Sequence, residues 1–395
     1  MLKGKTVVLG VTGSIAAYKI ANLASALKKL EADVHVIMTK NATNFINPIT
    51  FETLTNNRCL VDTFDRDFEF SVEHVSIADK ADVFMVAPAT ANVIGKIAGG
   101  IADDMLTTTI MACKCKKIIA PAMNTNMFEN PIVQDNIEKL KKYDYEIIDP
   151  ATGYLACGDT GKGKMPEPEE LLEYILKEVA FDKDLEGKNV LITAGPTKEA
   201  IDPVRFISNH STGTMGYALA KNAMRRGANV TLVTGPTSID KPMFVDVVEV
   251  TSADEMYNAV DKVFDEQDIV IMSAAVADYK PKNQAKEKIK KSDNSVIIEL
   301  EENKDILFEM SKRKKNQFLV GFAMETENMV ENSRHKLEQK NLDMICANNL
   351  KVEGAGFGAG TNVVTLITKD SEEKLEKASK DNVSSQIIDR IVEKL

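Results

Sequence analysis

Residues that could hold a phosphate follow an apolar run near the start of the chain. The segment GVTGS at 10–14 places Gly13 and the hydroxyl of Ser14 directly after this run. A glycine allows a ligand close to the backbone, and the first N–H groups of a following helix attract an anion. We interpret this segment as a candidate phosphate site, with an ordinary glycine-containing turn as the alternative. Its spacing does not match GxGxxG, so a dinucleotide site is a weak interpretation.

Two later segments repeat this arrangement. Thr90 and Asn92 in APATAN, and Asn124 in PAMN, each follow another apolar run. Because the carboxyl ends of the strands in an open α/β sheet form its ligand-binding edge, we expect these side chains to lie there. The Asn124 amide can both donate to and accept from a carboxylate or an amide. A close-packed helix start is the alternative interpretation of APATAN.

Two residues could move protons. His74 lies in VEHV, ahead of an apolar run, although a single histidine is more often structural. Cys157 lies in the glycine- and proline-rich segment 152–168, where an exposed thiol could donate a proton and a bystander cysteine is the alternative. Long loops of this composition often act as lids, so we expect a mobile flap here.

The second half of the chain holds further polar turns. Ser211, Thr212 and Gly213 stand at a predicted helix start, which is again an anion site, and Asn209 comes just before them. In SAAVADY, small residues precede Asp278, so a base or a sugar could pack on the backbone there.

Lysines are placed in two patterns after these turns. KEKIKK at 286–291, which includes Lys288, is a basic loop in an acidic chain, and a solvated charge run is its alternative interpretation. Beside two anion-type turns, a mobile lid over phosphates is the functional interpretation. Lys336 and Lys340 are four residues apart and therefore share a helix face.

Strands and helices must position these residues. Along the chain, short apolar runs alternate with amphipathic stretches, which predicts an α/β fold with parallel sheets. The pattern restarts after a charged connector at 181–188, so we expect two domains, 1–183 and 186–395. Predicted strands cover 6–13, 33–39, 81–90, 115–123, 145–149, 187–195, 229–235, 268–275, 295–300, 317–322, 342–348 and 362–368. Predicted helices cover 14–30, 170–180, 213–226 and 376–395.

Composition narrows the function classes. The 395 residues include 49 basic and 59 acidic ones, a net charge of −10, which argues against a nucleic-acid partner. We expect no membrane span and no signal peptide, because the apolar runs are too short. Five cysteines without CxxC and four scattered histidines predict a cytoplasmic protein without a disulfide framework or a zinc site. The absence of a Walker segment argues against a P-loop enzyme.

The first half of the chain resembles the flavin-binding cysteine decarboxylases, specifically the phosphopantothenoylcysteine decarboxylases. The resemblance rests on GSIAAYK, VEHV, APATAN, AGGIADD, PAMN and ACGDTGKGKMPEP, which occur in the family's order. From about residue 187 onward, SNHSTGTMG, AAVADY, KIKK, GFAMET and KNLDMICAN resemble the phosphopantothenate–cysteine ligases. The two halves in this order resemble the bifunctional enzymes of coenzyme A biosynthesis.

The resemblance implies two Rossmann-like α/β domains, an N-terminal flavodoxin-like flavin-binding domain and a C-terminal ligase domain with a parallel sheet. The ligase half would join 4′-phosphopantothenate to cysteine through an acyl-cytidylate, with CTP as co-substrate and Mg²⁺ offsetting phosphate charge. The other half would use FMN to decarboxylate phosphopantothenoylcysteine to 4′-phosphopantetheine. The family resemblance also implies a trimer-based homo-oligomer, such as a dodecamer, with the flavin at a subunit interface.

The same resemblance implies the site residues of the flavin half. In decarboxylation, Asn124 would hold the substrate carboxylate, Cys157 would donate a proton and His74 would be the active-site histidine. The FMN residues would be Gly13, Ser14, Thr39, Thr90 and Asn92.

It implies the ligase site in the same way. Lys288 would stabilise charge in the forming acyl-cytidylate, Asn209 would orient the activated acyl group, and Asp278 is a candidate Mg²⁺ ligand. The CTP residues would be Ser273, Ala274, Asp278, Lys288, Lys304, Asp305, Ile306, Leu307, Phe322, Lys336 and Lys340.

Two positions depart from the family pattern. Thr214 stands where the ligases often have lysine, and Lys164 stands where the decarboxylases commonly have arginine. Three alternatives stay open on the sequence: a regulatory flavin-binding protein, an enzyme with one degenerate half, and a nicotinamide oxidoreductase. The choice between CTP and ATP also stays open.

Overall fold

The structure is a computed structural model that describes residues 1–63, 73–154, 158, 160–290, 297–325, 327–349 and 360–395. Cys157 lies outside the described residues. The chain divides into two compact units, Met1–Phe181 and Asp182–Leu395. No helix in the described part of the chain has the length and apolarity that crossing a bilayer requires.

Unit 1 is built around a parallel sheet of five strands in the order β2-β1-β3-β4-β5. The strands are β1 Thr6–Val11, β2 Asp33–Met38, β3 Val83–Ala89, β4 Lys116–Pro121, β5 Tyr145–Ile147, β6 Ala151–Tyr154 and β7 Thr160–Lys164. The helices are α1 Lys19–Lys29, α2 Pro48–Thr55, α3 Glu73–Lys80, α4 Ala91–Gly99, α5 Met105–Ala112, α6 Thr125–Phe128, α7 Pro131–Lys142 and α8 Pro168–Val179. This strand order is that of flavodoxin-like folds, which confirms the expected class.

The sheet of unit 1 is covered on both faces because its strands are apolar on both sides. On one face, Val7 and Leu9 of β1 share a buried cluster with α1 and α8. On the other face, Val8 belongs to a cluster with α4, α5 and α7. The helices are thereby fixed, and the loops that follow β1, β3 and β4 gather at one edge of the sheet.

Unit 2 contains a mixed sheet of eight strands in the order β12-β11-β8-β13-β16-β17-β19-β20. Its strands are β8 Asn189–Ala194, β9 Lys198–Ala200, β10 Phe206–Ser208, β11 Asn229–Thr234, β12 Asp246–Glu249, β13 Ile269–Met272, β14 Tyr279–Pro281, β15 Leu300–Glu302, β16 Phe318–Glu325, β17 Met344–Asn349, β18 Thr361–Asn362, β19 Val364–Ile367, β20 Glu372–Lys374 and β21 Ala378–Ser379. Its helices are α9 Thr214–Arg225, α10 Ala253–Val263, α11 Ile306–Arg313, α12 Met329–Gln339 and α13 Lys380–Val392.

The expectation of a parallel sheet in unit 2 is correct for six strands and wrong for the last two. Strands β12, β11, β8, β13, β16 and β17 pair in parallel, whereas β19 runs antiparallel to β17, and β20 antiparallel to β19. The connection from β19 to β20, residues 368–371, is too short for a helical crossover. An apolar run has the same periodicity in either direction, so the sequence pattern did not reveal the reversal.

Three predicted elements differ from the observed ones. The predicted strand 295–300 is wrong over its described part, because β15 begins only at Leu300 and pairs with β14 outside the main sheet. Ile297 is 88% exposed, so this apolar run faces solvent instead of a core. The predicted helix 14–30 begins as a 3-10 turn at Ile15–Tyr18 before α1, and the predicted helix 376–395 is shortened to α13.

The expected flap at 152–168 is in part an antiparallel ribbon. Strands β6 and β7 pair from Ala151 with Lys164 to Tyr154 with Thr160. The glycines of this segment allow the ribbon to lie close to the turn that contains Asn124, as the site geometry below shows.

Candidate active sites

Unit 1 has its topological switch point between β1 and β3, because the chain moves from β1 to one side of the sheet and then to the other. In open α/β sheets, ligands bind in the crevice at this point. Thr12 joins the two strand ends: its hydroxyl donates to the Pro88 carbonyl at 2.6 Å and accepts from the Thr90 N–H at 3.1 Å. The crevice is thus held open at a fixed width by a buried threonine.

A cavity of about 760 Å³, here cavity A, opens at this switch point. Ligand pockets are usually about 300–1,000 Å³, so a molecule of cofactor size fits. All five residues expected at a flavin site line it: Gly13, Ser14, Thr39, Thr90 and Asn92.

Local sequence explains how these residues reach cavity A. Thr90 is the N-cap of α4, where its hydroxyl accepts from the Val93 N–H at 3.4 Å. Gly13 is required at its position, because a Cβ there would approach the Cβ of Asn41 to 2.8 Å. The result is a backbone cradle on one side and uncharged hydrogen-bonding groups on the other.

Lys96 also lines cavity A and was not predicted. It forms ion pairs with Asp103 at 2.7 Å and with Asp104 at 3.1 Å. The hydrogen bond to Asp103 raises the pKa of the Lys96 ammonium, which therefore stays charged. Its spacing of four residues from Asn92 on α4 is the signal that could have identified it.

A second cavity of about 390 Å³, cavity B, adjoins cavity A through Ser14, Ala122 and Met123, which line both. Asn124 and Tyr154 line cavity B. Asn124 is the N-cap of α6, and its side-chain oxygen accepts from the Asn126 N–H at 2.9 Å. A polar amide therefore faces a cavity that adjoins the candidate flavin site.

The ribbon β6–β7 closes one side of cavity B by docking on the turn before α6. The Met123 N–H donates to the Gly163 carbonyl at 3.1 Å. Gly163 has φ of +144°, and a Cβ there would lie 2.3 Å from the Met123 carbonyl oxygen. Only glycine fits this approach without displacing the ribbon.

Replacing Gly163 with alanine is therefore expected to destabilise unit 1 by about 1–3 kcal/mol and to open cavity B. Gly153 on the paired strand is a matched control, since its added Cβ would meet only the Lys164 side chain at 3.7 Å. Urea unfolding of both variants measures the difference. Equal midpoints for Gly163→Ala and Gly153→Ala would contradict the described docking of the ribbon.

Basic side chains border cavity B. Lys19 and Lys164 both line it, and both pair with Glu167, at 2.7 Å and 3.3 Å. The hydrogen bond from Lys19 is the main cause that lowers the pKa of the Glu167 carboxyl. Lys19 and Lys164 thus place two cations at the border of cavity B.

His74 does not join these residues within the described chain. It lies half-buried on α3, and neither cavity A nor cavity B is lined by it. The structure therefore brings together the expected flavin residues and Asn124, and leaves His74 apart from them.

Unit 2 repeats the arrangement at its own switch point, between β8 and β13. Here Thr193, near the end of β8, links this strand to the residues that follow β13. Its carbonyl accepts from the Ser273 hydroxyl at 2.6 Å, and its own hydroxyl accepts from the Ala274 N–H at 3.1 Å. The small residues of SAAVADY are thereby fixed at the sheet edge.

A cavity of about 500 Å³, cavity C, lies beside this junction. It is lined by most of the residues expected at a CTP site, which come from four separate segments: Ala274, Asp278, Lys304, Asp305, Ile306, Leu307, Phe322, Lys336 and Lys340.

The charges in cavity C are held in pairs. Lys336 donates to Glu325 at 2.6 Å, and Lys340 forms an ion pair with Asp305 at 2.7 Å. The Lys304 ammonium lies 4.4 Å from the centre of the Tyr257 ring. These cations can hold several phosphate oxygens. Glu325 and Asp305 keep Lys336 and Lys340 in place before a ligand arrives.

A further cavity of about 410 Å³, cavity D, shares Ala274, Asp278 and Phe322 with cavity C. It is lined by the predicted residues Asn209 and Ser273, and by the start of α9 with Ser211, Thr212 and Gly213. The Asn209 amide donates to the carbonyls of Ala275 and Val276 at 3.0 and 3.1 Å, which aligns it with the end of β13.

Three polar residues of cavity D were not predicted: Asn348, Asn362 and Lys380. They come from β17, β18 and the first turn of α13. Asn348 is the last residue of the segment KNLDMICAN, whereas no sequence signal links Asn362 and Lys380 to the site.

Lys288 lines neither cavity C nor cavity D and is exposed. Its loop is nevertheless anchored at the next residue. Asp202 accepts from the Ile289 N–H at 3.1 Å, and Arg205 donates to the Ile289 carbonyl at 2.7 Å. Hydrogen bonds from Arg205 are the largest cause that lowers the pKa of Asp202, so the anchor stays ionised at neutral pH.

The described residues contain no group of three or more His, Cys, Asp or Glu side chains that could hold a metal ion. Asp278 stands as a single carboxylate between cavities C and D. Together, the two units provide a crevice suited to a flat phosphorylated cofactor and a double cavity suited to a nucleotide beside a second substrate.

Family models match both units. The model described as Flavoprotein matches residues 1–180, and that described as DNA/pantothenate metabolism flavoprotein C-terminal domain matches residues 185–395. The chain is 49% identical over 395 residues to the coenzyme A biosynthesis bifunctional protein CoaBC of Bacillus subtilis (strain 168), which covers 99% of this chain and 97% of the relative.

Two further proteins are similar to this chain. The chain is 44% identical over 393 residues to the protein of the same name from Vibrio vulnificus (strain YJ016), with 99% of this chain and 98% of the relative covered. A crystal structure of the C-terminal domain of a coenzyme A biosynthesis bifunctional protein CoaBC is 42% identical, with a TM-score of 0.47, and covers 53% of this chain and 97% of that chain.

Proposed function

Because the chain belongs to the family of coenzyme A biosynthesis bifunctional proteins, we propose that it carries out two successive reactions. Unit 2 joins 4′-phosphopantothenate to cysteine with CTP, through an acyl-cytidylate. Unit 1 decarboxylates the resulting phosphopantothenoylcysteine to 4′-phosphopantetheine. The observation that carries the proposal is the convergence of four separate segments of expected nucleotide residues on cavity C.

FMN is the cofactor of unit 1, and cavity A fits it. The Gly13 cradle admits a group close to the backbone, and the N-terminus of α4 offers N–H groups to a phosphate. When bound, FMN supplies the oxidation that turns the substrate's cysteine side chain into an electron sink, and it returns the electrons afterwards.

The chain's own residues position the substrate of unit 1. The Asn124 amide faces cavity B beside cavity A, where it donates to the substrate carboxylate before that group leaves as CO₂. Lys19 and Lys164 add positive charge at the same cavity. Cys157 donates the proton that completes the product; in the sequence it comes three residues after Tyr154, which lines cavity B.

His74 belongs to the same reaction in this proposal, although it lies apart from cavities A and B. A trimer-based homo-oligomer, with a dodecamer as the full assembly, brings His74 of one copy to the flavin of another. Exposed apolar side chains on unit 1 support such contacts: Ile15 at 56%, Ile49 at 62% and Ile132 at 72%.

In unit 2, cavity C takes CTP and cavity D takes the acyl substrate. Lys304, Lys336 and Lys340 hold the triphosphate, and Phe322 lies where both cavities meet. Asn209 orients the activated acyl group next to the end of β13. Lys288 moves over the phosphates from its exposed loop and stabilises the charge that develops in the transfer.

A Mg²⁺ ion fits at the single carboxylate of Asp278. Magnesium usually binds through one or two carboxylates, substrate phosphates and water, and therefore needs no larger acidic cluster. The enzyme acts in the cytoplasm, in keeping with its free cysteines Cys59, Cys113, Cys115 and Cys346 among the described residues.

Nucleotide choice gives a direct experiment on unit 2. With 4′-phosphopantothenate and Mg²⁺ but no cysteine, CTP is expected to release pyrophosphate and form the acyl-cytidylate, because Ile306, Leu307 and Phe322 enclose the base. ATP is expected to react at least about 10-fold more slowly, a difference of about 1.4 kcal/mol. Equal rates with ATP, or no pyrophosphate with either nucleotide, would count against the proposal.

A further inference from the structure

Lys380 is an unusual residue of cavity D. It is only 9% exposed, and the described residues provide no carboxylate as its ion-pair partner. A buried lysine is unfavourable without a partner, and burial accordingly lowers the pKa of its ammonium group. Lys380 is also the first residue of α13, where the helix dipole disfavours a cation.

The placement of Lys380 directs its side chain into cavity D. Helix α13 packs beside α9 in the same direction: Asn222 of α9 donates to Ser384 at 2.5 Å, and Arg226, just after α9, pairs with Asp389. Side chains on a helix lean toward its N-terminus, so Lys380 extends from the first turn toward the sheet edge. Its presence in the lining of cavity D agrees with this direction.

The opposite wall of cavity D is suited to an anion. Helix α9 starts after Gly213, which has no side chain to cap the first N–H groups, and its first turn contains no acidic residue. The hydroxyls of Thr212 and Thr214 lie 2.9 Å apart at the same turn. A phosphate readily accepts hydrogen bonds from uncapped N–H groups and hydroxyls, but none of these donors carries a full charge.

Cavity D has a second buried polar group without a partner. The Asn348 side chain is 5% exposed, and its oxygen has no hydrogen-bond donor, although its amide nitrogen donates to Asn362 at 3.0 Å. A buried acceptor without a donor costs about 1–3 kcal/mol. Lys380 and Asn348 together indicate a ligand that carries an anionic end and an N–H or O–H group.

We propose that Lys380 supplies the charge that binds the phosphate monoester of the acyl substrate in cavity D, opposite the uncapped start of α9. The proposal deepens the proposed ligase function and rests on it. The phosphate of the acyl substrate is preferred over those of the nucleotide because cavity C has its own lysines for the triphosphate. Lys380 also compensates for the uncharged Thr214 at the start of α9.

Steady-state ligation kinetics test this role with the variant Lys380→Met, which keeps the aliphatic stem and removes the charge. The KM for 4′-phosphopantothenate is expected to rise roughly 10- to 100-fold, the effect of one lost hydrogen bond to a charged group. The KM values for CTP and cysteine are expected to stay within about twofold of wild type. For CTP the reason is that Lys380 lines cavity D and not cavity C. Lys380→Arg is expected to recover most of the loss.

Two controls separate this role from a structural one. Lys377→Met removes an exposed lysine just before α13 and is expected to leave every KM unchanged. Pantothenate without its phosphate is expected to bind wild type and Lys380→Met equally weakly in calorimetry. If Lys380→Met does not fold, Lys380→Gln replaces it in the same measurements.

The outcomes of these experiments distinguish a failure of the Lys380 assignment from a failure of the ligase function on which it rests. A wild-type protein that forms no phosphopantothenoylcysteine would overturn the ligase function itself. Ligation by wild type with an unchanged KM for 4′-phosphopantothenate in the charge-free variant would overturn the role of Lys380 alone. A rise in the KM for CTP instead would assign the lysine to the nucleotide and equally contradict the proposal.

Discussion

Lys288→Gln is expected to lower the rate of ligation by about 10²–10³-fold, the usual loss when one charged donor to a transition state is removed. Lys288 lies in an exposed loop, and its side chain contributes nothing to the core, so the variant is expected to fold normally. The loop itself is held at Ile289 by Asp202 and Arg205. The substitution therefore removes the charge and leaves the loop anchored.

The same chain provides two controls for this prediction. Lys286→Gln removes an exposed lysine of the same loop, and its ligation rate is expected to stay near that of wild type. Decarboxylation of supplied phosphopantothenoylcysteine is expected to be unchanged in Lys288→Gln, because that reaction belongs to unit 1. A folded Lys288→Gln protein that lost both activities would contradict the division of the reactions between two sites. Ligation at the wild-type rate would remove Lys288 from the transfer.

Asn124→Asp is expected to slow decarboxylation by about 10²-fold or more while the turn before α6 stays folded. Aspartate caps a helix as well as asparagine does, so the acceptor for the Asn126 N–H is retained. The change replaces the amide donor in cavity B with a negative charge. A like charge beside the substrate carboxylate costs several kcal/mol in a confined site, so binding is expected to fail.

Asn126→Asp is the control: it adds the same charge two residues further along the chain, on an exposed side chain. This variant is expected to decarboxylate at the wild-type rate. Each variant is measured by CO₂ release from phosphopantothenoylcysteine, with flavin content determined from the visible spectrum. Normal flavin content with lost CO₂ release assigns Asn124 to the substrate. Rapid decarboxylation by Asn124→Asp would remove Asn124 from that role.

The parts of the two sites that lie next to strand ends were predictable from the sequence. GVTGS, APATAN and SAAVADY each combine an apolar run with small or hydroxyl residues, and parallel strands must present such segments at one edge. Cavities A and C are lined by these segments, as expected. A local pattern was sufficient because one strand positions each segment.

Lys96 was missed despite a local signal, whereas other missed residues depend on contacts between distant segments. Lys380 reaches cavity D only because α13 packs along α9, and no local pattern encodes that pairing. The anchoring of Ile289 by Asp202 and Arg205 likewise joins segments far apart in the chain. Sequence periodicity describes how one element buries its own face and does not reveal which element covers it.

The wrong strand prediction at 295–300 has a similar cause. An apolar run bounded by polar residues predicts a buried strand, yet Ile297 and Leu300 are exposed beside the ribbon formed by β14 and β15. The local pattern identifies an apolar run but does not reveal whether another element covers it.

One reaction followed by mass spectrometry tests the central claim, that this chain both ligates and decarboxylates. The purified protein is mixed with 4′-phosphopantothenate, cysteine, CTP and Mg²⁺. The account predicts 4′-phosphopantetheine as the final product, with one CO₂ and one CMP for each molecule formed. Accumulation of phosphopantothenoylcysteine as the final product, or no new product at all, would contradict the account.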